Sequence, residues 1–181
     1  MTVLESDAMK NALPTAEQLK LDWANNPRWT GAIMDRNYEI LMNVSGTYGL
    51  VPDRTTGTYQ NMGTYSYDAC RTPWRIAMDY CFNDEPRAKA YLMKIGAFFD
   101  GIGAANIGDG YSLTGMATSP NKNMAFIGPA GVAGMAGWPK LLDGAFMFGA
   151  ENLGDQNYYP QSLRIVTMLM MSGNFLDYSR F

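Results

Sequence analysis

The chain contains no histidine and only two cysteines among its 181 residues. This scarcity excludes a Ser-His-Asp triad, a Cys-His pair and every metal site built on histidine. Any acid-base chemistry must therefore depend on carboxylates, and we expect neither a metal nor a cofactor. Cys70 and Cys81 would lie on one helix face, roughly 16 Å apart at about 1.5 Å per residue, which is too far for a disulfide. We interpret both as buried thiols.

Charge is also scarce, because only 17% of the residues are charged and the net charge is −3. No basic patch interleaved with aromatic residues is present, so nucleic acid is not an expected partner. Residues 123–139 lack all four charged residue types, yet this run is too short for a membrane span and contains Pro129. We therefore expect no membrane segment and interpret its regularly spaced glycines as sites of close helix-to-helix approach. The first ten residues carry no pattern typical of a secretory signal.

The abundant residues indicate one globular unit with a substantial core. Hydrophobic residues make up 47% of the chain and aromatic residues 13%. The aromatic content suits stacking on sugar rings, although core packing alone would account for most of it. A neutral ligand therefore fits the composition better than a charged polymer.

Apolar spacing predicts an all-α chain whose helices are joined by long loops. A capping box at residues 15–18 predicts a short helix to about Asn25. Two loops, over about 46–67 and 100–121, are long enough to be functional. The main helices are predicted as three antiparallel pairs, over about 28–44, 73–82, 86–99, the uncharged stretch after Asn123, 141–148 and 160–171.

The segment from Tyr65 to Arg75 holds the strongest candidate site. Thr72 followed by Pro73 is typical of an N-cap and a first helical residue, so Asp68 would lie just before a positive helix end. Asp68 is therefore a candidate general base. The residues alone leave an alternative about equally open, in which Asp68 only pairs with Arg71.

From Tyr67 onward the sequence resembles glycoside hydrolase family 8, whose bacterial members include endo-β-1,4-glucanases. Residues 67–75, with the sequence YDACRTPWR, match the family segment YDA-x-R-x-PWR, and Asp79-Tyr80 follow. Further matching segments lie at 49–53, 110–113, 125–129, 158–164 and 172–175. The resemblance implies an (α/α)6 barrel, of which residues 28–181 would supply about three of six hairpins as its C-terminal half. Residues 1–27 resemble the family least.

The resemblance also implies roles for individual residues. Family members invert the anomeric centre with two carboxyl groups about 6.5 to 9.5 Å apart, one acting as acid and one as base. Asp68 would be the base, and Tyr67 and Arg71 would orient it and its water. Tyr158, Tyr159 and Asp53 are candidate substrate contacts. The structural alternatives are a turn role for Asp53 and core packing for the two tyrosines.

One expected element of the family is missing from the sequence. The family's general acid is a Glu in an S-E-G-x-G-Y-G-M type motif, and none of the glutamates sits in such a context: Glu5, Glu17, Glu39, Glu85 and Glu151. Three hairpins of a six-hairpin ring would also leave apolar helix faces uncovered, so we expect association with a complementary N-terminal half or with a second copy. The expected substrate is β-1,4-linked glucan, with xylan, mixed-linkage glucan and chitosan left open, and family members are typically secreted. A non-catalytic carbohydrate-binding or structural half-barrel is the alternative function.

Overall fold

The computed structural model describes residues 31–151 and 157–177. These ranges contain six α-helices and one short β-hairpin, which confirms the prediction of an all-α chain. The predicted helix over 15–25 lies outside the described residues. The chain divides into two compact units, Met1–Glu39 and Ile40–Phe181. The elements are α1 (Gly31–Val44), β1 (Arg54–Thr55), β2 (Asn61–Met62), α2 (Thr72–Asn83), α3 (Pro86–Ile102), α4 (Met124–Gly134), α5 (Pro139–Glu151) and α6 (Tyr158–Met171).

Helices α2 and α3 form the predicted antiparallel hairpin. Asp84 ends α2 in the left-handed conformation with φ of 53°. The side chain of Glu85 then accepts a hydrogen bond from the backbone N–H of Arg87 and caps α3, where Pro86 occupies the first turn. The buried face of α3 includes Tyr91, Leu92 and other residues at helical spacing.

Helix α4 lies at the centre of the second unit, and all eleven of its residues are buried. It packs against α2, α3, α5 and α6. A Cβ atom at Gly131 would lie 2.4 Å from the Cβ of Ala145 in α5, and one at Gly134 would lie 2.8 Å from the backbone N of Leu142. The interpretation of these glycines as sites of close helix approach is confirmed.

The two long loops are joined to each other by backbone hydrogen bonds. Tyr65 and Tyr111 form an isolated antiparallel bridge, with N···O distances of 2.9 and 3.0 Å. Both side chains are buried and contact the ring of Phe99 from α3. The hairpin β1–β2 interrupts the first loop, which we expected to contain little secondary structure. Each loop is therefore anchored to the helical core close to the candidate site.

Three local predictions need correction. Helix α2 begins at Thr72 rather than after it, because a 3-10 turn over Ala69–Arg71 leads directly into the helix and Arg71 is the cap residue. Helix α6 begins at Tyr158, so Pro160 is its third residue. Cys70 is buried, as expected, but Cys81 is exposed. Among the helices described, none combines the length and the apolar character that a membrane crossing requires.

We predict that Gly131→Ala lowers the free energy of unfolding by about 1 to 3 kcal/mol, because the added methyl group overpacks the contact between α4 and α5. Urea denaturation of the purified chain would measure the change. Gly57→Ala is the matched control, since a Cβ at Gly57 meets no atom within 4 Å, and it should change stability by less than about 0.5 kcal/mol. Equal midpoints for the wild type and Gly131→Ala would contradict the packing argument.

Candidate active site

A single carboxylate oxygen holds the turn that carries Asp68. Oδ1 of Asp53 accepts hydrogen bonds from the backbone N–H groups of Ser66, Asp68 and Ala69, at 3.2, 3.1 and 2.9 Å. The backbone N–H of Asp53 in turn donates to the carbonyl of Thr64 at 2.9 Å. Asp53 therefore fixes the backbone around Asp68. This geometry gives it a structural role, and the predicted contact with substrate stays a prediction.

Asp68 and Arg71 are paired, as the three-residue spacing suggested. Nη2 of Arg71 lies 2.5 Å from Oδ1 of Asp68, and Nε donates to the Asp68 carbonyl at 3.2 Å. The Asp68 side chain is 54% exposed and that of Arg71 is 31% exposed. Oδ2 of Asp68 has no hydrogen-bond partner within the described part of the chain. The carboxylate is therefore held from one side and open to solvent on the other.

The hydroxyl of Tyr67 belongs to a polar cluster that the sequence argument missed. It donates to Oδ2 of Asp109 at 2.7 Å and accepts from Nδ2 of Asn123 at 3.2 Å. Asp109 is only 8% exposed. Its position directly before the matching Gly110-Tyr111 segment was an available signal, and Asn123 could have been identified as the N-cap of α4.

Tyr159, in helix α6, supports the turn that carries Asp68. Its hydroxyl donates to the carbonyl of Tyr67 at 2.6 Å, and that carbonyl also accepts from the thiol of Cys70 at 3.4 Å. The rings of Tyr67 and Tyr159 meet edge to face, with centroids 5.8 Å apart. Tyr159 thus connects α6 to the segment that carries Asp68.

An open pocket of about 590 Å³ lies beside this cluster. Tyr67 and Tyr159 contribute to its wall, whereas Asp68, Arg71, Tyr158 and Asp53 are not among its lining residues. Tyr158 is 85% exposed at the start of α6. The structure therefore brings Tyr67, Asp68, Arg71 and Tyr159 into one region and leaves Tyr158 on the surface near it. The pocket lining is Tyr67, Asp109, Asn121, Lys122, Asn123, Asn157, Tyr159 and Pro160.

Burial changes the acidity of several groups in this region. It raises the pKa of the Tyr67 hydroxyl, and the hydrogen bond to Asp109 raises that pKa further, while Asn123 opposes the shift. Burial, together with the contact to Cys70, raises the pKa of Tyr159. The pKa of the Cys70 thiol is raised to about 11, chiefly by burial. All three groups are therefore neutral near pH 7, where they act as hydrogen-bonding groups rather than nucleophiles.

A family model and two curated relatives match most of this chain. The family described as glycosyl hydrolases family 8 matches residues 12–173. Endoglucanase A of Acetivibrio thermocellus is 36% identical over 175 residues, which cover 90% of this chain and 36% of that protein. Beta-glucanase of Niallia circulans is 31% identical in an alignment of 205 positions, gaps included, that covers 96% of this chain and 46% of that protein.

Solved structures agree with the sequence relatives. The apo structure of a beta-1,3-1,4-glucanase from Paenibacillus sp. X4 matches with a TM-score of 0.76 at 27% identity, over 90% of this chain and 49% of that one. The chain spans between 36% and 49% of the length of these three relatives. The match begins at residue 12, and the predicted domain boundary at residue 28 stays a prediction.

We predict that Asp53→Ala loosens the turn around Asp68, because three backbone N–H groups lose their shared acceptor. The free energy of unfolding should fall by about 2 to 3 kcal/mol. Amide hydrogen exchange at Ser66, Asp68 and Ala69 should accelerate. The control is Asp143→Ala, which removes an exposed carboxylate from α5 and should leave these three amides unchanged. Protection that persists in Asp53→Ala would contradict the anchoring role.

Proposed function

The chain belongs to glycosyl hydrolase family 8 and forms part of its helical (α/α)6 barrel, and from this premise we propose that it carries the general base of an endo-acting, inverting glycoside hydrolase. The proposed substrate is β-1,4-linked glucan. The observation that carries the proposal is the carboxylate of Asp68, which Arg71 holds through one oxygen and which solvent reaches through the other.

This arrangement suits a base that acts on water. Oδ2 of Asp68 takes a proton from the attacking water, while the guanidinium of Arg71 on Oδ1 fixes the orientation of the carboxylate. The hydrogen bonds from the backbone to Asp53 hold the turn itself. In an inverting mechanism a separate carboxylic acid, across the sugar ring, protonates the leaving oxygen. We assign that second group to no residue of this chain.

Aromatic side chains next to Asp68 offer surfaces for sugar rings. Tyr67 is 42% exposed and Tyr158 is 85% exposed, so each presents a ring face or edge to solvent. Tyr159 is held in place by the hydrogen bond from its hydroxyl to the Tyr67 carbonyl. The relatives named as an endoglucanase and as beta-glucanases support a β-glucan substrate. We propose that this polymer is attacked outside the cell.

We also propose that the remainder of the barrel covers part of the surface of this chain. Helices α5 and α6 expose large apolar side chains, including Met147 at 52%, Ile165 at 62% and Leu169 at 42%. Exposed apolar patches of this kind often mark contact sites. Either a complementary N-terminal half or a second copy of this chain would bury them. The complementary N-terminal half is also where the proposal places the general acid.

We predict that Asp68→Asn reduces turnover by at least about 10²-fold when this chain is combined with an N-terminal half that carries the Glu motif, because the water loses its base. Binding of cello-oligosaccharides should change little, since the amide keeps the size of the carboxylate. Reducing-end release measures turnover, and calorimetry measures binding. Asp100→Asn is the control, because it makes the same change at a half-buried carboxylate at the end of α3. Ordinary turnover in Asp68→Asn would overturn the assignment of the base.

We predict that the 181-residue chain alone releases few or no reducing ends from soluble cellulose derivatives. Inversion requires both carboxyl groups, and loss of general-acid assistance costs about 10² to 10⁴ in rate. Addition of an N-terminal half with the Glu motif should restore cleavage. Full activity of the chain alone would contradict the proposal, because one of its own glutamates would then serve as the acid.

The same assay distinguishes the proposed hydrolase from the alternative, a non-catalytic half-barrel. A non-catalytic half-barrel would bind oligosaccharides and cleave none of them, with or without the added half. Cleavage that appears only on mixing would exclude this alternative. The comparison therefore needs a binding measurement beside each activity measurement.

A further inference from the structure

The capping of α4 determines how the amide of Asn123 is oriented. Its Oδ1 accepts the backbone N–H of Ala125 at 2.9 Å and caps the helix. Since one end of the amide accepts from the helix, the other end must be the NH₂ group. Nδ2 therefore faces the hydroxyl of Tyr67 at 3.2 Å and donates to it.

This orientation leaves one arrangement for the Tyr67 hydroxyl. The carboxylate of Asp109 can only accept, and the amide nitrogen of Asn123 can only donate. The single proton of the Tyr67 hydroxyl therefore lies on the 2.7 Å contact to Oδ2 of Asp109. The oxygen of Tyr67 accepts one hydrogen bond from Asn123 and has a further lone pair, and Tyr67 lines the pocket.

We propose that Asp109 is a positioning residue that makes the Tyr67 hydroxyl a hydrogen-bond acceptor toward the pocket. Its carboxylate takes the only hydroxyl proton, so the Tyr67 oxygen receives an O–H donor from a sugar or from the attacking water. The identity of that donor rests on the hydrolase function proposed above. The direction of the hydrogen bond from Tyr67 to Asp109 is independent of that function.

Burial supports a dedicated role for this carboxylate. Asp109 is 8% exposed, and its Oδ1 is buried with no hydrogen-bond partner in the described part of the chain. A buried carboxylate that lacks full pairing costs free energy. Its hydrogen bond to Tyr67 is charge-assisted, which strengthens it. The backbone N–H of Asp109 already fixes the loop by donating to the carbonyl of Asn121 at 2.9 Å. The carboxylate of Asp109 is therefore not needed to hold this part of the loop.

The first test follows the ionisation of Tyr67 in the 181-residue chain. Tyrosine labelled with ¹³C at Cζ gives one NMR resonance per residue, and loss of a resonance in Tyr67→Phe identifies Tyr67. In Asp109→Asn the pKa of Tyr67 should fall, because the carboxylate no longer holds the proton or repels the phenolate. In Asn123→Ser the pKa of Tyr67 should rise, because serine keeps the helix cap but removes the amide donor. Asp100→Asn should leave it unchanged.

A titration of Tyr67 that is unchanged in Asp109→Asn would overturn the proposal. Circular dichroism would first establish that each variant is folded. If Asp109→Asn does not fold, Asn123→Ser still decides the matter, because an unchanged or lowered pKa of Tyr67 in that variant would contradict the assigned orientation.

The second test measures kinetics in the assembled hydrolase. Asp109→Asn should lower kcat/KM by about 10- to 100-fold, as misorientation of a reacting group does. Because Asp109 acts through Tyr67, the double variant Tyr67→Phe/Asp109→Asn should be no slower than Tyr67→Phe. Additive losses would overturn the proposal. A loss confined to kcat identifies the attacking water as the donor, whereas a rise in KM identifies a sugar hydroxyl.

The two tests separate failure of this inference from failure of the proposed function. An assembled protein without hydrolase activity would refute the proposed function, and the NMR titration would still decide whether Asp109 orients Tyr67. If the assembled protein is active and the titration of Tyr67 is unaltered in Asp109→Asn, the role of Asp109 is refuted and the proposed function stands.

Discussion

Burial of α4 on every side is the constraint on which the rest of residues 40–151 and 157–177 depends. Four helices pack against it, and its glycines allow α5 and α6 to approach closely. The same helix reaches the candidate site, because Asn123 caps its first turn and the ring of Phe126 meets that of Tyr67 edge to face at 5.1 Å. Core packing and site geometry therefore share one element, and a shift of α4 would displace both.

The site itself is assembled by backbone and side-chain hydrogen bonds around one turn. Asp53 binds three of its N–H groups, and Tyr159 binds the Tyr67 carbonyl from α6. These contacts restrict the backbone on both sides of Asp68 while its carboxylate stays exposed. Preorganisation of this kind suits a group that must meet a water molecule at a defined angle, since orientation contributes strongly to rate.

Local patterns in the sequence predicted the helices and the Asp68–Arg71 pair, because both depend on residues that are close in the chain. The break at Asn83–Pro86 and the pairing of Asp68 with Arg71 are examples. The contact of Tyr67 with Asp109 joins residues that are 42 positions apart, and no periodicity encodes such a distance. The exposure of Cys81 likewise depends on which face of α2 meets α4. The roles assigned to Asp68, Tyr67 and Arg71 remain predictions.

The bridge between Tyr65 and Tyr111 joins the two long loops, so that the position of one depends on the position of the other. One loop leads to the turn that carries Asp68, and the other carries Asp109 on the pocket wall. A single grafted loop whose backbone follows a different path would break the two backbone hydrogen bonds of the bridge. Loop exchange in this scaffold should therefore replace both loops together, as a matched pair taken from one donor.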